Sequence, residues 1–327
     1  MTRRSFLFLL SGSAACLLSV RGHAVSQPAA KVPRIGVLVS ASDPHPFADA
    51  LRHGLQNLGY SEGRNITLDV RYTEGRSDLA ARFASELVRS DVALIVAHFT
   101  PTVKAAMAAT KTIPIVMVAG APLQSGFIRS LYEPGGNVTG LSAMDAELGG
   151  KRIQLLSDLI PKLTCVGVIA TTPTTDPFSR PFVADIQAAG SALNVRVAPV
   201  LIGGPSELEE AFSVLAKEGA QAVIVQGFFG PYSKRVAQLA ISHRIGYMSS
   251  DRGAVVDGGL ASISANFPLL YERAAVYIDK LLKGANPANL PVEQPSKFQV
   301  TVNRQTALAL GLSLSPVLLA QVDEVIE

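Results

Sequence analysis

The sequence predicts an α/β protein built as two Rossmann-like parallel-sheet lobes joined by three hinge segments. Short β-branched runs alternate with helical stretches, which is the rhythm of parallel βαβ units. Each strand-like run of the first half recurs about 130 residues later in the second. The halves are connected by extended segments marked with Gly and Pro. At 327 residues, 48% apolar and 17% charged, the chain has apolar surface for two cores and is excluded from the disordered class.

In the first half the strand-like runs begin near Arg34 (IGVLVS), Asn65 (ITLDVRY), Val92 (ALIVAH) and Ile113 (PIVMVAG). Their counterparts begin near Cys165 (VGVIAT), Val195 (RVAPVLI), Ala222 (VIVQGF) and Ile245 (GYMSSD). The halves share little residue identity, so the repeat is architectural. After four of these runs stand Asp43-Pro44, Thr100-Pro101, Asp176-Pro177 and Gly230-Pro231. A capping residue followed by Pro at the first helical position is a helix-start signature. Such ends carry unpaired N–H groups and a positive dipole, and so suit a carboxylate or another anion.

Three joins complete the expected layout. Pro134 to Gly140 reads as a turn and an extended crossover, and Gly258 to Asn266 as an extended return. A helix-like run from Pro268 to Lys283 then covers the first lobe, before Asn286-Pro287, Pro291 and Pro295 lead into Phe298–Val302. Lobe 1 is expected over 33–139 plus about 262–295, and lobe 2 over 140–261 plus about 296–327.

Residues 1–24 read as a cleaved leader. Arg3 and Arg4 precede the apolar stretch Phe6–Leu10, and Gly22-His23-Ala24 offers small residues to a peptidase. The paired arginines also match twin-arginine export. A periplasmic protein without a lipid anchor follows. The formal charge of +3 comes from Arg3, Arg4 and Arg21; without them 26 basic residues face 26 acidic ones. With no basic stripe and no Trp, nucleic acid is excluded as a partner. Cys165, at the head of an apolar run, reads as core filling.

The chemistry-bearing motifs are missing from the sequence. It contains no HExxH, CxxC, calcium loop, GxxxxGK[ST], GxGxxG or GxSxG. No metal, cofactor or enzymatic activity is expected, and an exported hydrolase with a triad assembled from distant residues is the weakest alternative.

Four stretches carry a family resemblance: LYEPGGNVTG at 131–140, KGANPANLPVEQP at 283–295, VNRQTALALGL at 302–312 and AQVDEVI at 320–326. With the leader, they make the chain similar to the substrate-binding proteins of ATP-binding-cassette importers, in the tryptophan/tyrosine-type subgroup. The resemblance implies a type I periplasmic-binding fold, a monomer that captures a small-molecule ligand, and an ABC permease in the inner membrane as partner. A periplasmic sensor subunit of the same fold remains open at this level. The chain departs from the family at Ala121-Pro122, where Asp-Pro is usual, and at Ile263, where Tyr is usual. Both departures take polar handles from the presumed cleft.

In open parallel sheets ligands sit beyond the carboxyl ends of the strands. That rule selects Ser40, Asp43, His98, Phe99, Thr100 and Ala121 in the first lobe. It selects Thr172, Gln226, Phe228 and Asp251 in the second, with Ser142 and Asn266 at the crossovers. Thr100 is expected to anchor a ligand carboxylate, Asp251 to face an ammonium, and Phe99 and Phe228 to sandwich an apolar body.

Overall fold

A computed structural model describes residues 32–327. The leader expected at residues 1–24, with cleavage near Val25, lies outside the described residues. In chain order the first half forms β1 (Arg34–Val39), α1 (Pro46–Asn57), β2 (Thr67–Tyr72), α2 (Ser77–Arg89), β3 (Leu94–His98), α3 (Thr100–Ala109), β4 (Ile115–Ala119) and β5 (Val138–Ser142). The second half forms α4 (Gly149–Leu159), β6 (Cys165–Thr171), α5 (Ser179–Ala192), β7 (Arg196–Ile202), α6 (Leu208–Lys217), β8 (Ala222–Val225), α7 (Ser233–Ser242) and β9 (Gly246–Ser249). Then come α8 (Arg252–Val256), β10 (Ala261–Ala265), α9 (Phe267–Leu282), β11 (Phe298–Asn303), α10 (Arg304–Ala309), α11 (Pro316–Leu319) and β12 (Glu324–Ile326).

The strands form two sheets. One is five-stranded and parallel, in the order β2-β1-β3-β4-β5. The other has seven strands, β12-β11-β10-β9-β8-β6-β7, parallel except where β10 meets β11. The expected repeat is present in the topology: β2-β1-β3-β4 and β7-β6-β8-β9 follow the same order. Strands β3, β4 and β6 are buried along their whole length. Helices on both faces remove all water from such strands, and that is why they read as unbroken apolar runs.

The same packing device recurs in each half. Gly36 on β1 leaves the space filled by Leu87 of α2, whose Cδ1 would lie 2.8 Å from an added Cβ. Gly167 on β6 does the same for Leu215 of α6, at 2.6 Å. Helices α1 and α9 cover the other face of the first sheet, where Phe47, Leu51 and Leu55 meet Tyr271, Ala274 and Ile278. The run expected from Pro268 to Lys283 is thus α9, capped by Asn266, and it does cover the first sheet. Cys165 is buried and unpaired, as expected of core filling.

The four expected helix starts need correction. Helix α1 begins at Pro46, after the cis Asp43-Pro44 bond, and is capped by His45, whose Nδ1 accepts from the Phe47 N–H at 3.2 Å. A second proline was available for the first-turn position, so Asp43 caps nothing. Helix α3 starts at Thr100 itself, following Phe99 at φ 68°. Helix α5 starts at Ser179, and Asp176 closes a tighter turn by accepting from the Phe178 N–H at 3.0 Å. Pro231 lies inside a 3-10 segment, Gly227–Tyr232, before α7. In all four loops the proline shapes the approach, and the helix takes its first residue elsewhere.

The chain passes between the sheets three times: after β5, after β10, and between α9 and β11. The first and third crossings are paired. The Ser142 N–H donates to the Glu293 carbonyl at 2.8 Å, and the Glu293 N–H donates to the Gly140 carbonyl at 3.1 Å. Arg273 of α9 holds the Glu293 carboxylate with two hydrogen bonds, at 2.7 and 2.8 Å.

Gly54 is where α1 and α9 come closest. A Cβ there would stand 2.5 Å from the Glu272 carbonyl oxygen and 2.9 Å from its Cα, both backbone atoms. Overpacking of this kind costs ~1–3 kcal/mol. Gly54→Ala should therefore lower the urea midpoint by an amount in that range; an unchanged midpoint would show that the two helices separate freely.

Candidate functional site

The carboxyl ends of both sheets face a small enclosed cavity of about 40 Å³. Nearly every loop that follows a buried strand reaches it. Ser40 follows β1, Phe99 and Thr100 follow β3, Gly120 follows β4, and Ala143 and Asp145 follow β5. From the other sheet come Asp176 and Phe178 after β6, Gly227 and Phe228 after β8, and Ser250 after β9. Phe267, at the start of α9, and Pro101 complete the wall.

Four of the residues selected from sequence meet here: Ser40, Phe99, Thr100 and Phe228. The Thr100 side chain is 3% exposed, at the first residue of α3. The other eight lie elsewhere. Asp43 is exposed and faces Tyr72. His98 is fully buried behind Phe99, its Nε2 2.8 Å from the Tyr271 hydroxyl and its ring 4.0 Å from that of Phe99. Burial, reinforced by neighbouring His45, holds its imidazole well below the usual pKa, so it is a neutral support for Phe99. Ala121 packs in the core of the second half, as does Ile263, which places both family departures outside the cavity wall. Ser142 accepts from the Met144 N–H at 3.2 Å, and Thr172 bonds to the Thr174 and Thr175 hydroxyls. Asp251 is exposed and caps α8 by accepting from the Gly253 N–H at 2.8 Å. Asn266 caps α9, accepting from the Leu269 N–H at 3.2 Å.

Gln226 stands one layer behind the wall, and it orients a group the sequence reading left out. Its Oε1 accepts from the Thr171 N–H at 2.8 Å. A backbone N–H can only donate, so this bond fixes the amide and turns Nε2 toward Asp176 Oδ2, also at 2.8 Å. With the Phe178 N–H on Oδ1, each oxygen of Asp176 accepts one hydrogen bond. That network suits the anion. Burial opposes it and pushes the carboxyl up to about 6. Asp145, the other acid of the wall, is matched by the fully buried Arg152, which binds both its carboxylate and its carbonyl. Among the described residues Asp176 has no such partner; Lys104 acts on it only through space and donates to the Thr174 carbonyl at 3.5 Å. The Asp176-Pro177 pair was visible as a loop signal, yet its turn chemistry hid its position in the wall.

A larger groove of about 720 Å³ lies beside α1, α9 and the Glu293–Gln299 crossing. Two of its acids are already paired, Glu272 with His53 and Glu293 with Arg273, and among the described residues only Asn266, after β10, reaches it from a carboxyl-end loop. The small cavity is therefore the candidate site. Among the described residues no group of three or more His, Cys, Asp or Glu could hold a metal ion. Nor is any described helix long and apolar enough to cross a membrane.

Two sheets whose carboxyl-end loops enclose one cavity, with three crossings between them, define a type I periplasmic-binding fold. Residues 34–326 match the ABC transporter substrate binding protein family, and the chain belongs to it. Among its relatives is a tyrosine-binding protein of Clostridioides difficile, 30% identical over 274 residues, covering 82% of this chain and 78% of the relative. A Streptococcus pneumonia ABC domain in complex with L-Trp is similar at 25% identity and TM-score 0.85, covering 90% of this chain and all of that one. A substrate binding protein with adhesive properties from Clostridium difficile, in its ligand-free, open structure, is also 25% identical. It covers 90% of this chain and 99% of that one, but its TM-score is 0.63.

Asp176 sets a pH dependence whose sign follows from its raised pKa. The ordinary value is 3.8, so between there and about 6 the folded state holds a proton that the unfolded state has lost. The protonated form stabilises at acid pH, and this contribution is lost as pH rises toward about 6. Relative to Asp176→Asn, the wild type should be more stable by about 1 kcal/mol at about pH 5 than at about pH 7.5. Urea midpoints of both proteins at the two pH values measure this; a pH-independent difference would show a carboxyl at ease in its surroundings.

Proposed function

We propose that this protein is the exported solute receptor of an ABC importer. It captures a small molecule of the amino-acid class, an amino acid or related carboxylate, in the cavity between its sheets and presents it to a permease in the inner membrane. The observation that carries this reading is the convergence of carboxyl-end loops from both sheets on one cavity. A ligand there touches both sides at once, which is the condition for a ligand to favour a closed arrangement. The comparisons support the closed state. The chain is equally identical to both solved relatives, yet far closer in shape to the L-Trp complex than to the ligand-free, open structure. The tyrosine and L-Trp named for two of the relatives motivate the amino-acid class.

In this reading one lobe carries the five-stranded sheet with α9, residues 33–142 and about 266–295, and the other the seven-stranded sheet, residues 143–265 and about 296–327, turning about the three crossings. The expected bounds at 139/140 and 261/262 shift because β5 runs on to Ser142 and β10 pairs with β9 and β11. The protein acts as a monomer in the periplasm, and it binds without catalysing a reaction. Thr100 donates its hydroxyl to the ligand, and Ser40, Phe99 and Phe228 line the pocket beside it.

Screening amino acids and related solutes by thermal shift tests the function. A bound solute raises stability by ~2.7 kcal/mol at a hundredfold excess over its dissociation constant. Small-angle scattering with a solute that does so should show a smaller radius of gyration, and an unchanged radius would sink the closure. Thr100→Val should weaken that solute by about 1 kcal/mol, roughly fivefold, with the apo melting temperature nearly unchanged. Wild-type affinity in this variant would take Thr100 out of the site.

A further inference from the structure

The wall of the cavity has an uneven charge. Among the described residues its two ionisable groups, Asp145 and Asp176, are both acids, and no Lys, Arg or His lines it. Arg152 neutralises Asp145 from behind, which leaves Asp176, 3% exposed, without an ion-pair partner among the described residues, Lys104 acting on it only through space. A ligand carboxylate would enter this field with only hydroxyl and backbone donors to meet it. An ammonium group would find an oriented carboxylate whose oxygens each have a lone pair to spare.

The size is also set. Phe99, Phe178, Phe228 and Phe267 occupy the wall, leaving about 40 Å³, room for roughly three water-sized groups. The Phe178 ring is seated, not loose. It is 6% exposed, and it fits because residue 120 is glycine, where an added Cβ would lie 2.8 Å from ring atom Cε2. Phenyl faces also attract cations, so the same rings that limit the volume favour a positive charge.

Resting on the solute-receptor reading but replacing its amino-acid class of ligand, we propose that the cavity takes a compact organic amine cation, with Asp176 as its counter-ion and the phenyl rings around its alkyl part. A ligand carboxylate adds nothing to binding, and an indole or phenol side chain is too large for the closed pocket. Burial strain on the lone carboxylate agrees with this, because a bound cation would relieve it.

Four probes separate charge from size: propylamine, propionate, L-alanine and L-tryptophan, each titrated by calorimetry into the full mature protein. Propylamine should bind, propionate and L-tryptophan should not, and L-alanine should bind roughly tenfold or more weakly than propylamine. Asp176→Asn should cost propylamine roughly ten- to a hundredfold in affinity. Asn cannot accept at both atoms, so a second readout uses the wild type alone. Lowering pH from about 7.5 to about 5 should weaken propylamine roughly tenfold, as Asp176 takes a proton while the amine stays charged. The groups facing Asp176 are Gln226 from β8, the Phe178 N–H, Lys104 from α3 and, across the cavity, the Arg152-paired Asp145. Tighter binding of propionate, L-alanine or L-tryptophan than of propylamine would overturn the amine assignment and leave the receptor reading standing. Failure of propylamine to bind, or affinity unmoved by both pH and Asp176→Asn, would overturn the assignment as well. The receptor reading itself fails only if no solute of the wider amino-acid screen binds.

Discussion

The pairing of two crossing segments between the sheets is the constraint on which the rest depends. Gly140, Ser142 and Glu293 exchange backbone hydrogen bonds, and Arg273 clamps the Glu293 side chain from α9. This knot fixes where the first sheet ends and the second begins, so that their carboxyl ends meet across a narrow gap. Parallel sheets place every following loop at that same end. Once the crossings are tied, residues from Ser40 to Phe267 have one place to converge.

Within that gap the distribution of charge matters more than its amount. Asp145 and Asp176 stand in the same wall with opposite fates. Arg152, fully buried and bonded to Asp145 through two of its nitrogens, makes a closed pair that belongs to the architecture. Asp176 is held only by neutral donors, which orient its charge without cancelling it. Neutral donors around a buried anion are a polar environment arranged in advance of a partner. The sheets thus supply position, and Gln226 supplies direction.

How legible was this in the sequence? The strands were plain, because burial on both faces turns β1, β3, β4 and β6 into apolar runs and repeats them at a near-constant offset. Strand β12 was not, since Glu324–Ile326 is too short to show a period. Helix starts slipped wherever a loop held more than one candidate, as with Pro44 and Pro46. Site residues directly after a strand, such as Ser40, Phe99 and Thr100, could be named because the strand end locates them. Asp176 and Phe178 lie further along their loop, where only the turn decides whether a side chain points inward. Asp251 had the right address and the wrong employment: a local N–H at Gly253 took its carboxylate first. Such competition between local capping and long-range recognition leaves no trace in residue identity.

The glycine seats at Gly36 and Gly167 have a mechanical consequence. Each fastens one helix to an inner strand of its own sheet, with a leucine inserted where any side chain would collide. A joint of this kind has no slack, because neither Leu87 nor Leu215 can withdraw without emptying the space it fills. In the proposed closure the two sheets would therefore act as stiff plates, and a change in the gap between them would fall on the short connecting ribbons. Wear in such a device, whether from substitution or heat, would show first as altered travel between the plates, well before either plate lost its form.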